Sequence, residues 1–479
     1  MPLPSAASAP VIGLEIHAQL RTRTKAFCGC AARFGAPPNS LTCPVCLGLP
    51  GALPVLNAEA VRLALRAALA LGCSLQRRAS FARKSYFYPD LPKGYQVTEL
   101  AEPLGLGGSI AIETARGVRR IGIARVHLEE DAGKSVHGSA GRSFVDLNRS
   151  GTALVEIVGE PELASPAEAR AMLHSLRELL MFTGVSDGNL EAGSLRCDAN
   201  VSLAGAAEAG AGPRVELKNI NSFRLLGEAL EAEIARQRAL VERGEPIRRQ
   251  TRGYDPQTRT TYLLRDKELA ADYRYFEEPD LPPLALDAAL EAELSASLPE
   301  LPWAKRARYV AELGLKPAAA QGLTAHPAIA ELFERAVALG AAPVRTANWL
   351  LSELLRDVDT AGLEASLPLD ATQLSELVAL VEQGRISGAQ AKQLYLSLRG
   401  TGRSPVAEVE RAGLGVLRDQ AALRELAARV VADHPAERDK YRQGKAGLLG
   451  FFVAQLMQAT SGQADPALAS ALLRELLEG

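Results

Sequence analysis

The side chains best suited to chemistry fall into two groups. The first is Cys28, Cys30, Cys43 and Cys46: a C-x-C pair, a spacer of twelve residues, then a C-x-x-C pair. Close thiol pairs on two short loops assemble a tetrahedral metal, with zinc–thiolate bonds of about 2.3 Å. In a cytoplasmic chain such a cluster points to metal rather than disulfides. Four cysteines close the coordination shell, so Zn2+ held there is structural. The alternative is four separate thiols, buried or free. Cys73 and Cys197 stand apart.

The second group is acidic. Glu15 and His17 lie two apart, and Glu129, Glu130 and Asp131 form an unbroken run. Adjacent carboxylates repel unless a cation or an arginine lies among them. Glu156 sits in the otherwise apolar Leu154-Val155-Glu156-Ile157-Val158. A lone acid there is costly unless it is paired or on a metal. Two readings stay open: a pair with an arginine such as Arg149, or a hard-cation site of carboxylates and a histidine, suited to Mg2+ holding phosphates.

Several motifs are absent. Gly133-Lys134-Ser135 is not a P-loop, because residue 128, where that motif needs glycine, is Leu. If ATP binds, it binds in another way. There is no G-x-S-x-G, no glycine- and serine-rich amidase signature and no cysteine in a G-x-C-x-G setting, so the chain shows no means of hydrolysing glutamine. Lys84 to Tyr95 packs four aromatics, two prolines and two lysines into a stretch too irregular for helix or strand. It reads as a packed aromatic loop or as a rigid loop lining a site. Basic clusters occur at Arg77, Arg78, Arg83 and Lys84, at Arg248, Arg249 and Arg252, and at Arg438, Lys440, Arg442 and Lys445. Each suits a solvated face; the last precedes a glycine turn and an apolar helix and also suits phosphate-backbone contact.

The elements that must position these groups follow from periodicity. Segment 11–20 alternates, with Leu14, Ile16, Ala18 and Leu20 on one face and Glu15, His17 and Gln19 on the other. Helices are expected over 57–71, 165–184 and 222–244, the second opened by a capping box at Ser165-Pro166-Ala167-Glu168. Strands are expected over 119–128, 154–158, 194–203 and 214–218. Beyond a proline cluster at 279–283 the pattern turns almost wholly helical, and a second break falls at 400–405. The 479 residues, 47% hydrophobic and 23% charged, suit a soluble globular chain of about three domains at roughly 150 residues each. No run of 18 apolar residues suggests a membrane span, and no secretory signal opens the chain, so the cytoplasm is expected. With a net charge of −2, nucleic-acid binding must rest on local patches.

YFYPDLPKGYQ, HLEEDAGKS, DLNRSGTALVEIV, GSLRCDANVS, ELKNINSFR, DYRYFEEPDLPP and KAGLLGFFVAQLMQATSGQADP together resemble the B subunit of the tRNA-dependent amidotransferases, the GatB family. The resemblance implies an α+β cradle-shaped catalytic domain with a mixed or antiparallel sheet over 1–295. An all-α helical domain over 296–402 and a small all-α, tRNA-binding tail over 403–479 follow. It implies an ATP-dependent ligase that phosphorylates the side-chain carboxylate of mischarged Glu-tRNA(Gln) or Asp-tRNA(Asn). The activated acid is then amidated with ammonia from glutamine. The partners implied are the A (amidase) subunit, the small C subunit, the mischarged tRNA and, in a larger complex, a non-discriminating aminoacyl-tRNA synthetase; no membrane is involved. By motif, the Mg2+ ligands fall on His17, Glu130 and Glu156, with Glu15 and Glu129 close by. Glu130 shares strand parity with Leu128, not His127, so the strand is expected to end before it. Lys84, Lys93 and Asp198 are placed on the path of ammonia or the acceptor. Two rivals remain: a zinc-stabilised tRNA-binding module without catalysis, and a free-standing amide ligase acting on small acids.

Overall fold

In the computed structural model, residues 9–138, 141–207, 210–220, 222–266, 273–415, 420–460 and 463–478 are described. Residues 1–8 lie outside them, as do Asn221, Asp272, Ser461 and Gly462, which belong to the sequence motifs. Two compact units emerge: Met1–Lys305 with Thr360–Glu364, and Arg306–Asp359 with Ala365–Gly479.

The alternating segment becomes the strand Pro10–Gln19, inside the largest sheet. It is hydrogen-bonded on one side to Ala153–Gly159 and on the other to Leu195–Ala207, both antiparallel. Outward from Ala153–Gly159 come Gly117–Glu130, Tyr95–Glu99, Phe81–Ser85 and Phe276–Glu277; outward from Leu195–Ala207 come Val215–Ile220, Gln250–Asp255 and Thr260–Asp266. The pairing of Val215–Ile220 with Gln250–Asp255 is parallel, so the sheet is mixed.

One parity of the central strands is apolar. Ile12, Leu14, Ile16, Val155 and Ile157 are buried and share a core with the helices Ala58–Ala70, Pro166–Phe182 and Phe223–Glu242. Burying each such side chain contributes about 1.5–3 kcal/mol. The helices start where the sequence predicts, on Asn57, Ser165 and Ser222, whose side chains accept from backbone N–H groups of the first turn. The expected capping box is altered. Ser165 Oγ accepts from the Glu168 N–H, but the Glu168 carboxylate takes the Ala164 N–H and Arg119.

Three expectations shift. The strand expected over 119–128 runs from Gly117 to Glu130, because Glu129 and Glu130 still pair with Leu154 and Ala153. The aromatic stretch is irregular only over 86–94: Lys84 pairs with Gln96 and Ser85 with Tyr95 across two strands. Beyond the proline cluster, the helix Ala288–Ala296 still packs on Ala58–Ala70, with Leu294 in the first core.

The second unit is helical and holds two cores. The first gathers Leu323, Phe333, Leu350, Leu374 and Leu394. The helix Pro405–Ala412 adds Val409 to it and ends at Gly413, in the left-handed region at φ 59°. The predicted break at 400–405 therefore lies within this core. A separate core, with Leu423, Phe452, Leu456 and Leu473, is built by Gln420–Asp433, Leu449–Ala459 and Pro466–Glu478. Among the described residues, no helix is long and apolar enough to cross a membrane.

Candidate active site

The other parity of the same strands is polar. His17 stands opposite Glu156 on one neighbouring strand, and Glu156 opposite His127 on the next. On the other side His17 faces Arg196, and Glu15 faces Asp198. Residues directly opposite point to one face, so these groups meet. His17 Nε2 lies 3.2 Å from Glu156, 3.4 Å from Glu129 and 3.8 Å from Glu15. His127 Nε2 lies 3.0 Å from the same Glu156 oxygen. Glu15, His17 and Glu156 form one group able to ligate a metal; His127, Glu129 and Glu156 form another.

The electrostatics match a site built for a cation. Burial disfavours charge on His17, but its hydrogen bond to Glu156 and the charges of Glu129, Glu156 and Glu15 raise it to about 9. Burial raises Glu129, and burial with the Glu156 charge raises Glu15. Glu156 is held well below the usual carboxylate range, its burial outweighed by His127 and His17.

Of these residues, Glu15, His17 and Glu129 border a cleft of about 1220 Å³, shared by Lys84, Asp198 and Lys218. Lys84 Nζ lies 5.1 Å from the centre of the Tyr273 ring. Lys218 donates to Asp198 at 2.8 Å and lies 3.4 Å from Glu216. Asp131, Arg149 and Arg196 also line the cleft.

Glu130 does not join the cluster. Because the strand continues through it, its side chain takes the opposite face, where it pairs with Lys93 and accepts the Val97 N–H at 2.9 Å. The carboxylate beside His17 from this run is Glu129. Lys93 and Glu130 line a second, smaller cavity with Phe27, Cys46 and Tyr95. Lys93 is thus separated from Lys84 and Asp198. Of the two readings left open for Glu156, the pair with Arg149 is not formed: Glu156 is taken by the two histidines, with Arg125 at 4.0 Å, and Arg149 goes to Asp131. Sequence reasoning missed His127, Arg196 and Lys218. Alternation carried the signal for the first two, since His127 shares parity with Glu129 and Arg196 with Asp198.

Gly133-Lys134-Ser135 enters a two-stranded hairpin, Lys134–His137 with Ser143–Asp146. A side chain at Gly133 would meet Asp90 O and Leu147 at 2.9 Å, so this glycine serves close packing. The basic cluster around Arg83 is spent on ion pairs: Arg83 with Glu278 and Asp280, Arg77 with Glu291, and Arg78 with Glu102.

The four clustered cysteine sulfurs lie within 4.8 Å of one another. Cys43 and Cys46 are 3.9 Å apart at Sγ, and the Cys43 N–H points at Cys46 Sγ at 3.2 Å. Lys25, fully buried, places its ammonium 3.6 Å from Cys46 Sγ and donates to Leu41 O and Leu147 O. The Cys46 thiol is lowered to about 4 by its hydrogen bond with Cys28, against burial and with help from the Cys43 backbone and Lys25.

A mixed sheet offering acids and imidazoles to a polar cleft, followed by a helical unit, is the architecture of a multidomain catalytic subunit. Residues 10–291 match the GatB/GatE catalytic domain and residues 331–477 the GatB domain. The chain belongs to the GatB family. It is similar to the B subunit of the aspartyl/glutamyl-tRNA(Asn/Gln) amidotransferase of Solidesulfovibrio magneticus, 48% identical over 469 residues that span 98% of each chain. The proteins of that name from Geotalea uraniireducens and Persephonella marina are 47% and 46% identical, each match spanning 98% of this chain and 99% of the relative.

Proposed function

We propose that the chain is the B subunit of a cytoplasmic, glutamine-hydrolysing tRNA amidotransferase, an ATP-dependent ligase working with an amidase and a small third subunit. Its substrate is mischarged Glu-tRNA(Gln), Asp-tRNA(Asn) or both. A non-discriminating aminoacyl-tRNA synthetase is the further partner this reading admits. The observation that carries it is the gathering of Glu15, Glu129 and Glu156 around His17 at the cleft.

A carboxylate is a poor acyl donor because oxide would have to leave. In the reading proposed, a side-chain carboxylate oxygen of the substrate bonds to the γ-phosphorus of ATP, and ADP departs with the electrons of the broken P–O bond. Ammonia then attacks the acyl carbon, phosphate leaves, and the nitrogen loses a proton. His17, Glu15, Glu129 and Glu156 would hold Mg2+, whose hard oxygen preference fits this donor set and which, when bound, offsets charge on phosphoryl oxygens. The carboxylates around His17 favour positive charge at this position. Lys84, kept cationic by Glu129 and Glu156 against desolvation, attracts the anionic acceptor. Asp198, tied to Lys218, borders the same cleft and is available to take a proton from nitrogen. We assign the ammonia path to the cavity of Lys93 and Glu130, whose small volume of about 70 Å³ leaves little room for water.

The cysteine cluster fits zinc. Thiolates about 2.3 Å from a tetrahedral ion stand about 3.8 Å apart, close to the Cys43–Cys46 separation. Lys25 offsets the surplus negative charge of four thiolates. Zinc there ties the 28–46 loop to the fold and takes no part in the reaction. For tRNA, the tail offers the helix Pro435–Arg442, which has no buried residue. Arg442 donates to Leu477 O and Arg438 pairs with Asp439 at 3.0 Å, so phosphate contact rests mainly on Lys440 and Lys445.

The test is ADP formation by the reconstituted three-subunit enzyme. ADP and amidated tRNA are expected only with mischarged tRNA, and both should vanish in Glu156→Gln while part of the glutaminase activity survives. Amide formation on free acids without tRNA would favour the free-standing ligase. No ADP formation under any condition would favour a binding module.

A further inference from the structure

One end of the cleft is organised around a carboxylate outside the histidine cluster. Asp131 is buried, 3% exposed. It accepts from Arg196 Nη2 at 2.8 Å and from Gln19 Nε2 at 3.2 Å, and Arg149 Nε lies 3.5 Å from its second oxygen. Arg149 is held further by two backbone carbonyls, Ala132 O at 3.0 Å and Gly133 O at 2.6 Å. Both guanidinium groups line the cleft and stay about one-third exposed.

One buried carboxylate orients two guanidinium ions, and the charges of Glu129 and Asp198 also act on Arg196. Lys218, by contrast, is matched by Asp198 and Glu216. A structural ion pair needs only one arginine per acid. A buried acid that fixes two arginines and leaves N–H groups of each toward the cleft holds them ready for an anion. Register supplies the placement. Arg196 stands directly across from His17, and cross-strand neighbours on one face are about 4.5–5.5 Å apart at Cβ. The cationic pole thus adjoins the carboxylate–histidine cluster.

We propose that Arg149 and Arg196, aligned by Asp131, form the subsite for the phosphate chain of ATP. Arg196 in addition stabilises charge on the γ-phosphoryl oxygens during transfer. The assignment rests on the phosphoryl-transfer reading above. Neither arginine gives up a proton. The bond made is from substrate carboxylate oxygen to γ-phosphorus, the bond broken is to the bridging oxygen of ADP, and the guanidinium groups act through charge and directed hydrogen bonds. Arg149 and Arg196 touch the nucleotide; Asp131 is a positioning residue.

The experiment uses the reconstituted complex, with two readouts: affinity for a non-hydrolysable ATP analogue, and single-turnover ADP formation with mischarged tRNA. Arg196→Ala should slow ADP formation by about 10²–10³-fold, the usual cost of one preorganised charge-stabilising donor, and free guanidinium should restore part of the rate. Arg149→Ala should weaken analogue binding. Asp131→Asn should raise the KM for ATP more than it lowers kcat, since the arginines remain but lose their alignment. Unchanged analogue affinity and ADP formation in Arg196→Ala, with Glu156→Gln inactive, would overturn the arginine assignment and leave the phosphoryl-transfer reading standing. Normal ADP formation in Glu156→Gln would overturn both. A loss in Arg196→Ala that tracks a lowered Tm and resists guanidinium would make the arginine structural and also overturn the assignment.

Discussion

The cysteine cluster and the carboxylate–histidine cluster are both groups of side chains able to ligate a cation, and they are assembled in opposite ways. The thiols come from a single loop, residues 28 to 46, and the spacing of two close pairs brings them together. The acids and imidazoles come from strands spread between residues 15 and 156, and hydrogen-bond register alone decides which of them meet. The first cluster can be lost with its loop while the sheet stands. The second cannot be disturbed at one residue without redistributing charge over the rest, because His17, His127 and three glutamates share one buried patch. In the function proposed, the local site supports structure and the site made by register carries the chemistry.

The comparison breaks most sharply at Glu156, the one acid common to both ligand groups of the sheet. Glu156→Gln should lower tRNA-dependent ADP formation by about 10³-fold or more, as expected when several kcal/mol of cation-mediated charge stabilisation are lost. Near-normal turnover with ammonium as nitrogen donor would remove this patch from the mechanism.

The adjacent pair Glu129 and Glu130 sharpens it next. Glu129→Gln should resemble Glu156→Gln in kinetics. Glu130→Gln should show itself first in stability, because Lys93 is left buried without its partner. Breaking such a buried pair costs about 3 kcal/mol, readable in urea unfolding, while the Mg2+ dependence of ADP formation stays as in the wild type. A Mg2+ requirement shifted by Glu130→Gln and untouched by Glu129→Gln would reverse the assignment.

On the cysteine side, Cys43→Ser or prolonged chelation should lower Tm and release about one zinc per chain. The KM for ATP of the protein that remains folded should stay unchanged. A purified chain free of metal, with intact thiols and wild-type Tm, would end the zinc proposal.

The smallest expected effect concerns Glu99, buried under the same strands. It accepts N–H groups from Leu104 and Leu128, and its other oxygen is without a partner. Burial raises its pKa to about 8, against His127 and those two N–H groups. A carboxyl raised on folding favours the folded state at low pH, and this contribution fades as pH climbs from its ordinary value of 4.5 toward 8. Glu99→Gln should therefore gain Tm relative to wild type as pH rises across that window. A Tm difference independent of pH would show that Glu99 titrates normally.

Much was legible in the sequence because it depends on local rules. Thiol spacing, the alternation of Glu15 and His17, the helix caps at Asn57 and Ser165 and the failed P-loop all rest on near neighbours. Three-dimensional structure alone decided the partners. Whether Glu129 or Glu130 faces His17 turns on two further residues of strand pairing, and a period of two sends neighbours to opposite faces. That Glu156 takes two histidines rather than Arg149, and that Asp131 gathers Arg149 and Arg196, depends on strand order, which no local pattern encodes. Periodicity assigns each residue a face; only long-range hydrogen bonding between strands assigns each face its neighbours.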